Sequence, residues 1–184
     1  LTDETKTVDG TTVFRIRALR NVKASERVIP KGTLGGFVEK ESNLSQEGES
    51  WIDDDAIVMS FAKVEDNAYV GDNAKVFDGA TIFDDSVVMN GAQIFGKAKL
   101  ENNSIVRGDA HVSGNANLRN DILVERDAIV TGNAIVMGEA EVTDGANISE
   151  DAVIKDKAVV KGDAVIKKDQ VVGGEEVAEG EGIS

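Results

Sequence analysis

The chain has 184 residues, which suits a single domain, and it contains no cysteine, so disulfide bonds and thiolate metal sites are excluded. Its net charge of −14 disfavours binding to nucleic acid or to anionic membranes. No apolar run approaches the length of a membrane span and no signal peptide is visible. We therefore expect a cytoplasmic protein with no nucleic-acid or membrane partner.

Residues 1–50 are predicted to form a β cap. The segment TKTVDGTTVFRIRAL, residues 5–19, alternates apolar and polar residues around Asp9-Gly10, which is the pattern of a β-hairpin. A turn at Pro30-Lys31-Gly32 follows, and then the segment GTLGGFVEKESNLSQEGESWIDDDA, residues 32–56. Because a repeat array leaves an open end with unpaired strand edges, we expect residues 1–50 to cover that end.

A six-residue repeat occupies the chain from residue 52 to residue 177. Each of the 21 positions reached from Ile52 in steps of six, ending at Val172, is Val, Ile or Leu. The residue four places later is alanine 16 times and serine twice, with exceptions at Ile122, Gln170 and Glu176. Each small residue lies two places before the next aliphatic one, so both point to the same side of a short strand. The Gly, Asn and Asp residues between them favour tight corners, and coils of this kind bury a narrow core only by stacking.

The motif aliphatic-x-x-x-small-x resembles the hexapeptide repeat of left-handed parallel β-helices. This resemblance implies an all-β fold, a single-stranded left-handed parallel β-helix in which three hexads form one 18-residue coil of a triangular prism. The repeat would then make about seven coils. We expect an N-terminal β cap at 1–50, a hexapeptide-repeat β-helix at 51–177 and a frayed acidic tail at 178–184. Residues 32–56 also resemble the segment that leads into the repeat in the YdcK-like group of bacterial and prophage-encoded proteins.

Outward residues on such a prism fall onto three faces. Face 1 begins at Trp51 and continues in steps of 18 residues, face 2 begins at Ile57, and face 3 begins at Lys63. Because a contiguous exposed apolar ladder usually marks an interface, face 1 predicts a subunit contact through Tyr69, Val87, Met89, Ile105 and Leu123. The alternative, strongest for Trp51, is that cap residues cover part of this face. Face 2 carries a secondary apolar patch of Ile57, Met59, Phe77 and Phe95. Similarity to hexapeptide-repeat proteins implies a homo-oligomer, with a trimer favoured.

His111 is the only histidine and the only catalytic candidate. The string VRGD, residues 106–109, resembles one in γ-class carbonic anhydrases, which bind zinc through three histidines, and this chain cannot supply that set. Hexapeptide-repeat acyltransferases use a histidine as general base, but the loop and C-terminal helix that shape their coenzyme A cleft have no counterpart in the unbroken repeat. We therefore predict no metal, no cofactor and no catalytic residue, with His111 as an outward strand residue.

These patterns favour a non-enzymatic structural or interaction protein that self-associates through face 1 and binds a protein partner whose identity the sequence leaves open. Resemblance to the YdcK-like group implies a phage or prophage origin, and a phage structural protein would be associated with the virion. Two alternatives stay open: a hexapeptide-repeat acyltransferase that uses acyl-coenzyme A, and an acidic decoy that binds a DNA-handling protein. The unbroken repeat and the single histidine favour the scaffold, while the charge of −14 permits the decoy.

Overall fold

The computed structural model, which describes residues 1–25 and 27–180, shows an all-β solenoid of stacked coils. Each hexad contributes a short strand, and strands 18 residues apart pair in parallel, as Val88 does with Val106. The sheet of face 1 has eight strands, so the solenoid has eight turns and not about seven. The predicted number was low because the repeat was counted in whole 18-residue intervals, and a strand that begins at Val177 adds the eighth rung.

The strands of the cap and of the three faces have the following bounds. The cap contains β1 (Thr5–Val8), β2 (Thr11–Arg17), β3 (Val22–Ala24), β4 (Arg27–Ile29), β5 (Leu34–Val38) and the 3₁₀ turn Glu41–Asn43. Face 1 contains β6 (Trp51–Ile52), β9 (Tyr69–Val70), β12 (Val87–Val88), β15 (Ile105–Val106), β18 (Leu123–Val124), β21 (Glu141–Val142), β24 (Val159–Lys161) and β27 (Val177–Glu179). Face 2 contains β7 (Ile57–Val58), β10 (Lys75–Val76), β13 (Gln93–Ile94), β16 (His111–Val112), β19 (Ile129–Val130), β22 (Asn147–Ile148) and β25 (Val165–Ile166). Face 3 contains β8 (Lys63–Val64), β11 (Thr81–Ile82), β14 (Lys99–Glu101), β17 (Asn117–Asn120), β20 (Ile135–Gly138), β23 (Val153–Ile154) and β26 (Val171–Val172).

The core of the solenoid is a column of the repeat's inward residues. All 21 aliphatic positions from Ile52 to Val172 are at most 1% exposed, and the alanines between them are equally buried. Serine replaces alanine at Ser86 and Ser104, where each hydroxyl donates to a backbone carbonyl, at 3.1 Å for Asn102 and 2.7 Å for Glu101. The buried hydroxyls are therefore satisfied within the narrow core.

The corners explain the abundance of aspartate in the repeat. Each corner begins with a residue of positive φ, which Gly, Asn and Asp tolerate best. At six corners an aspartate also accepts a hydrogen bond from the backbone N–H 18 residues later, as Asp72 does from Asn90 at 3.0 Å. The six are Asp66, Asp72, Asp78, Asp84, Asp144 and Asp156. Much of the negative charge thus has a local structural role, because these carboxylates bind the corner of the next coil.

The cap continues the sheet of face 2 beyond the N-terminal end of the repeat. The predicted hairpin at Asp9-Gly10 is confirmed, because β1 pairs antiparallel with β2 around these residues. Strand β2 then pairs antiparallel with β5, and β5 pairs in parallel with β7. Gly36 permits this approach, since a Cβ at that position would lie 2.6 Å from the carbonyl oxygen of Ala56.

Residues 34–50 form an irregular coil that stacks on the first regular one. Strand β5 lies on face 2, and Leu44 bridges Val64 on face 3. Asn43 is buried and joins the two coils, because its side-chain amide donates to the carbonyls of Ala62 at 2.8 Å and Ser60 at 3.2 Å. Its Oδ1 accepts the Lys40 N–H at 2.9 Å, which closes the 3₁₀ turn.

The C-terminal strand extends into the predicted tail. Ala178 is buried and pairs with Val160, because it occupies the inward position six residues after Val172. Residues 178 and 179 therefore belong to β27 and not to a frayed segment, while residues 181–184 of the predicted tail lie outside the described residues. Across the part of the chain that the structure describes, no helix is long and apolar enough to cross a membrane.

Candidate functional site

Face 1 presents an apolar strip near the middle of the solenoid. Val87, Ile105 and Leu123 lie in successive paired strands at the same position of their hexads. Ile105 is 36% exposed, and Val87 and Leu123 are half-buried. Met89, also half-buried, occupies the neighbouring column beside Val87. Because paired strands lie about 4.8 Å apart, these four outward side chains form one continuous surface, which we call the face 1 strip.

An ordered ion pair borders the face 1 strip. Arg107 and Glu125 follow Met89 in the same column, and Arg107 places its Nη2 and Nε at 2.6 and 2.7 Å from Glu125 Oε2. The other carboxylate oxygen of Glu125 accepts the Thr143 hydroxyl at 3.3 Å. An apolar centre with a hydrogen-bonded charged edge is the arrangement found in protein interfaces.

Tyr69 is not part of this surface, so the prediction that it is exposed on face 1 is wrong. Its side chain is 6% exposed and its ring lies over Gly71, where a Cβ would approach the ring to 2.6 Å. The hydroxyl donates to Asp53 Oδ2 at 3.1 Å, and Arg27 of the cap lies 3.5 Å from the same hydroxyl. Burial, followed by the Asp53 carboxylate, raises the pKa of Tyr69 above its ordinary value. Trp51 is buried as well, as the alternative of a covering cap predicted.

The secondary apolar patch on face 2 is half covered by the cap. Ile57 and Met59 are buried with Val13 and Phe37 in a small second core, so their predicted exposure is wrong. The cause is the β1–β2 hairpin, whose residues pack on the outer surface of the first coil. Phe77 and Phe95 are half-buried and stack with ring centroids 5.0 Å apart. Sequence reasoning recognised these residues as outward-facing but gave no position for the hairpin.

The residues around His111 do not converge on one point. His111 lies in β16 on face 2 and its side chain has no hydrogen-bond or ion-pair partner within residues 1–25 and 27–180. Arg107 lies on face 1, where it pairs with Glu125. The Asp109 carboxylate lies against Gly91 of the preceding coil, in the corner between the two faces. The arrangement predicted for these three residues is therefore confirmed, and it provides no base oriented by a second group.

Glu49 is a functional residue of the cap that the sequence did not reveal. Its carboxylate accepts the backbone N–H of Lys23 at 2.6 Å and Arg20 Nη1 at 2.8 Å, which ties β3 to the irregular coil. These two hydrogen bonds, the backbone one first, lower the pKa of Glu49 below its ordinary value. No periodic signal identifies Glu49, because the bonds join irregular segments 26 and 29 residues apart.

The described residues contain no group of three or more His, Asp or Glu side chains placed to hold a metal ion. In comparisons with known proteins, the sequence matches no family model and no curated protein. The fold is thus that of a parallel β-solenoid of the kind that hexapeptide repeats form, and membership of the YdcK-like group stays a prediction.

Proposed function

We propose that this β-solenoid is a structural protein that associates with copies of itself, as a trimer, through the face 1 strip. The observation that carries the proposal is the exposure of Ile105 at the centre of four contiguous apolar side chains, beside the Arg107–Glu125 pair. Contiguous apolar surface of this kind is uncommon on a protein that works alone.

Face 1 is a better contact surface than the other two faces. On face 2 the cap buries Ile57 and Met59, and hydroxyl groups follow Phe95, with Ser113 and Thr131 bonded at 2.9 Å. On face 3 the outward column begins with polar side chains and becomes apolar only from Ile135 onward. A long face of a straight prism also allows a neighbouring copy to lie alongside with parallel axes, so each copy can present the same strip to the next.

Sedimentation of matched variants tests this proposal. Ile105→Asp, at the centre of the strip, should convert an oligomer of the 19.5 kDa chain into monomer, because association would bury an unpaired carboxylate. Ile129→Asp is the matched control, since Ile129 occupies the same hexad position on face 2 and is also 36% exposed. Val153→Asp supplies the same change on face 3. Circular dichroism verifies that each variant is folded.

A wild-type chain that sediments as a monomer would contradict the proposal. Equal dissociation by all three variants would contradict the assignment to face 1, and dissociation by Val153→Asp alone would move the contact to face 3. A trimer that only Ile105→Asp disrupts supports both the oligomer and its surface.

The proposed setting follows from the resemblance of residues 32–56 to the YdcK-like group. We include in the proposal a phage or prophage origin, with a cytoplasmic or virion-associated location. Gene neighbours that encode virion structural proteins would support this setting, whereas neighbours that encode metabolic enzymes would oppose it.

A further inference from the structure

The N-terminal end of the solenoid contains a cavity of about 560 Å³. Its floor includes Leu44 and Ser50 of the irregular coil, and Ile16, Ala18 and Val22 of the cap line its other side. Elsewhere each inward residue is covered by the next coil, but no further coil stacks on residues 34–50. The volume lies within the range of small-molecule sites, about 300–1,000 Å³.

Ser50 carries a hydroxyl that the fold does not use. It precedes Ala68 by 18 residues and so occupies the small inward position of its hexad, as Ser86 and Ser104 do. Those two serines donate to backbone carbonyls of neighbouring corners. Ser50 is 6% exposed, lines the cavity, and its Oγ has no hydrogen-bond partner in the described part of the chain.

The adjacent residue adds a second unused polar group to the cavity wall. Trp51 is 3% exposed, and its indole Nε1 is buried with no acceptor among the described residues. Buried polar atoms without partners are rare in folded proteins, because each costs about 1–3 kcal/mol. Two of them side by side, both on the wall of one cavity, indicate a place where a ligand completes the hydrogen bonds.

The lining defines the chemistry of that ligand. The indole N–H only donates, so the ligand needs an acceptor oxygen, and the hydroxyl of Ser50 can donate to it as well. The aliphatic side chains around these groups require an apolar body. Two arginines and one carboxylate border the cavity: Arg20 is paired with Glu49, whereas Arg17 has no ion-pair partner within the described ranges, and Glu41 is the carboxylate.

We propose that this cavity binds a small molecule with a compact apolar body and a carbonyl or carboxylate oxygen, held by the Trp51 N–H and the Ser50 hydroxyl. The site is independent of self-association through the face 1 strip, because none of its lining residues belongs to that strip.

Trp51 is the only tryptophan of the chain, so its fluorescence reports directly on the cavity. We would titrate the full chain with octanamide, octanoate and octylamine, which share an alkyl body and differ in the head group. Octanamide and octanoate should change the emission of Trp51 saturably. Octylamine, which at neutral pH is a cation without an acceptor, should not. An Arg17→Gln variant separates the two oxygens, because it should weaken octanoate alone if the carboxylate is the better ligand.

Ser50→Ala removes the hydroxyl with little change of volume, and Ser86→Ala is its matched control. Ser50→Ala should weaken octanamide binding about three- to tenfold, and Ser86→Ala should leave it unchanged. In the free protein the order reverses: Ser86→Ala should lower the melting temperature by breaking its bond to Asn102, whereas Ser50→Ala should leave it unchanged or raise it. No saturable response to any probe, an equal response to octylamine, or equal affinities of wild type and Ser50→Ala would each overturn the proposal.

Discussion

The cap and the repeat hold their coils together in different ways. In the repeat, each coil binds the next through the same backbone hydrogen bonds, an inward aliphatic column and corner aspartates that recur every 18 residues. In the cap, single side chains have tasks that no other residue shares, such as the buried amide of Asn43 and the carboxylate of Glu49. Stability is therefore distributed over many equivalent contacts in the repeat and concentrated in a few contacts in the cap.

The largest effect should come from the repeat's own core. Ile94→Ala leaves a cavity between Val76 and Val112, where the flanking coils prevent collapse. We expect a loss of about 2–5 kcal/mol in the free energy of unfolding, measured by chemical denaturation. Gln93→Ala, one residue earlier and outward, should change it by less than about 0.5 kcal/mol. Similar losses for the two variants would contradict the inward and outward assignment of these neighbours.

A somewhat smaller effect should come from the cap's buried amide. Asn43→Ala leaves the Ala62 carbonyl and the Lys40 N–H without partners, which should cost about 1–3 kcal/mol. Asn115→Ala is the control in the repeat, because Asn115 is exposed and bonds only to the equivalent Asn133 at 2.9 Å. Denaturation should show little change for this second variant. If both asparagines proved equally costly, the contrast between concentrated and distributed contacts would be wrong.

Much of this contrast follows from periodicity. The hexad count predicted the inward residues, the corners and the three faces, because each of these depends on contacts that repeat at fixed spacing. The count could not predict that Tyr69, Ile57 and Met59 are covered, since that depends on where β1, β2 and Arg27 fold back. It also missed the orphaned hydroxyl of Ser50, which differs from Ser86 only in its surroundings.

The junction between cap and repeat should resist the ionisation of Tyr69. Its raised pKa means that the folded protein favours the neutral phenol, so this stabilisation is present below the ordinary value of 10.0 and is lost as the pH rises above it. Ultraviolet absorbance should show that tyrosinate forms at higher pH in the native protein than in urea. A phenol that titrates near 10.0 in the native protein would show that the cap leaves Tyr69 accessible.

The smallest effect should appear in acid. Because the pKa of Glu49 is lowered, its contribution is present above the ordinary value of 4.5 and disappears as the pH falls through the lower folded value. Glu49→Gln should therefore lower the melting temperature at neutral pH, and the difference from wild type should shrink below pH 4.5. Glu47→Gln, an exposed neighbour without an ion pair in the described structure, is the control and should show no such convergence.

The 18-residue period also makes molecular length a stepwise quantity. Deleting one whole coil from the repeat returns every later side chain to its original face, one strand spacing of about 4.8 Å closer to the cap. Deleting a single hexad keeps the interior sequence pattern but rotates all later outward residues onto the next face. Deleting one residue exchanges inward and outward positions. Insertions and deletions can therefore change this protein as a ruler is changed, by whole divisions, while the two ends stay the same.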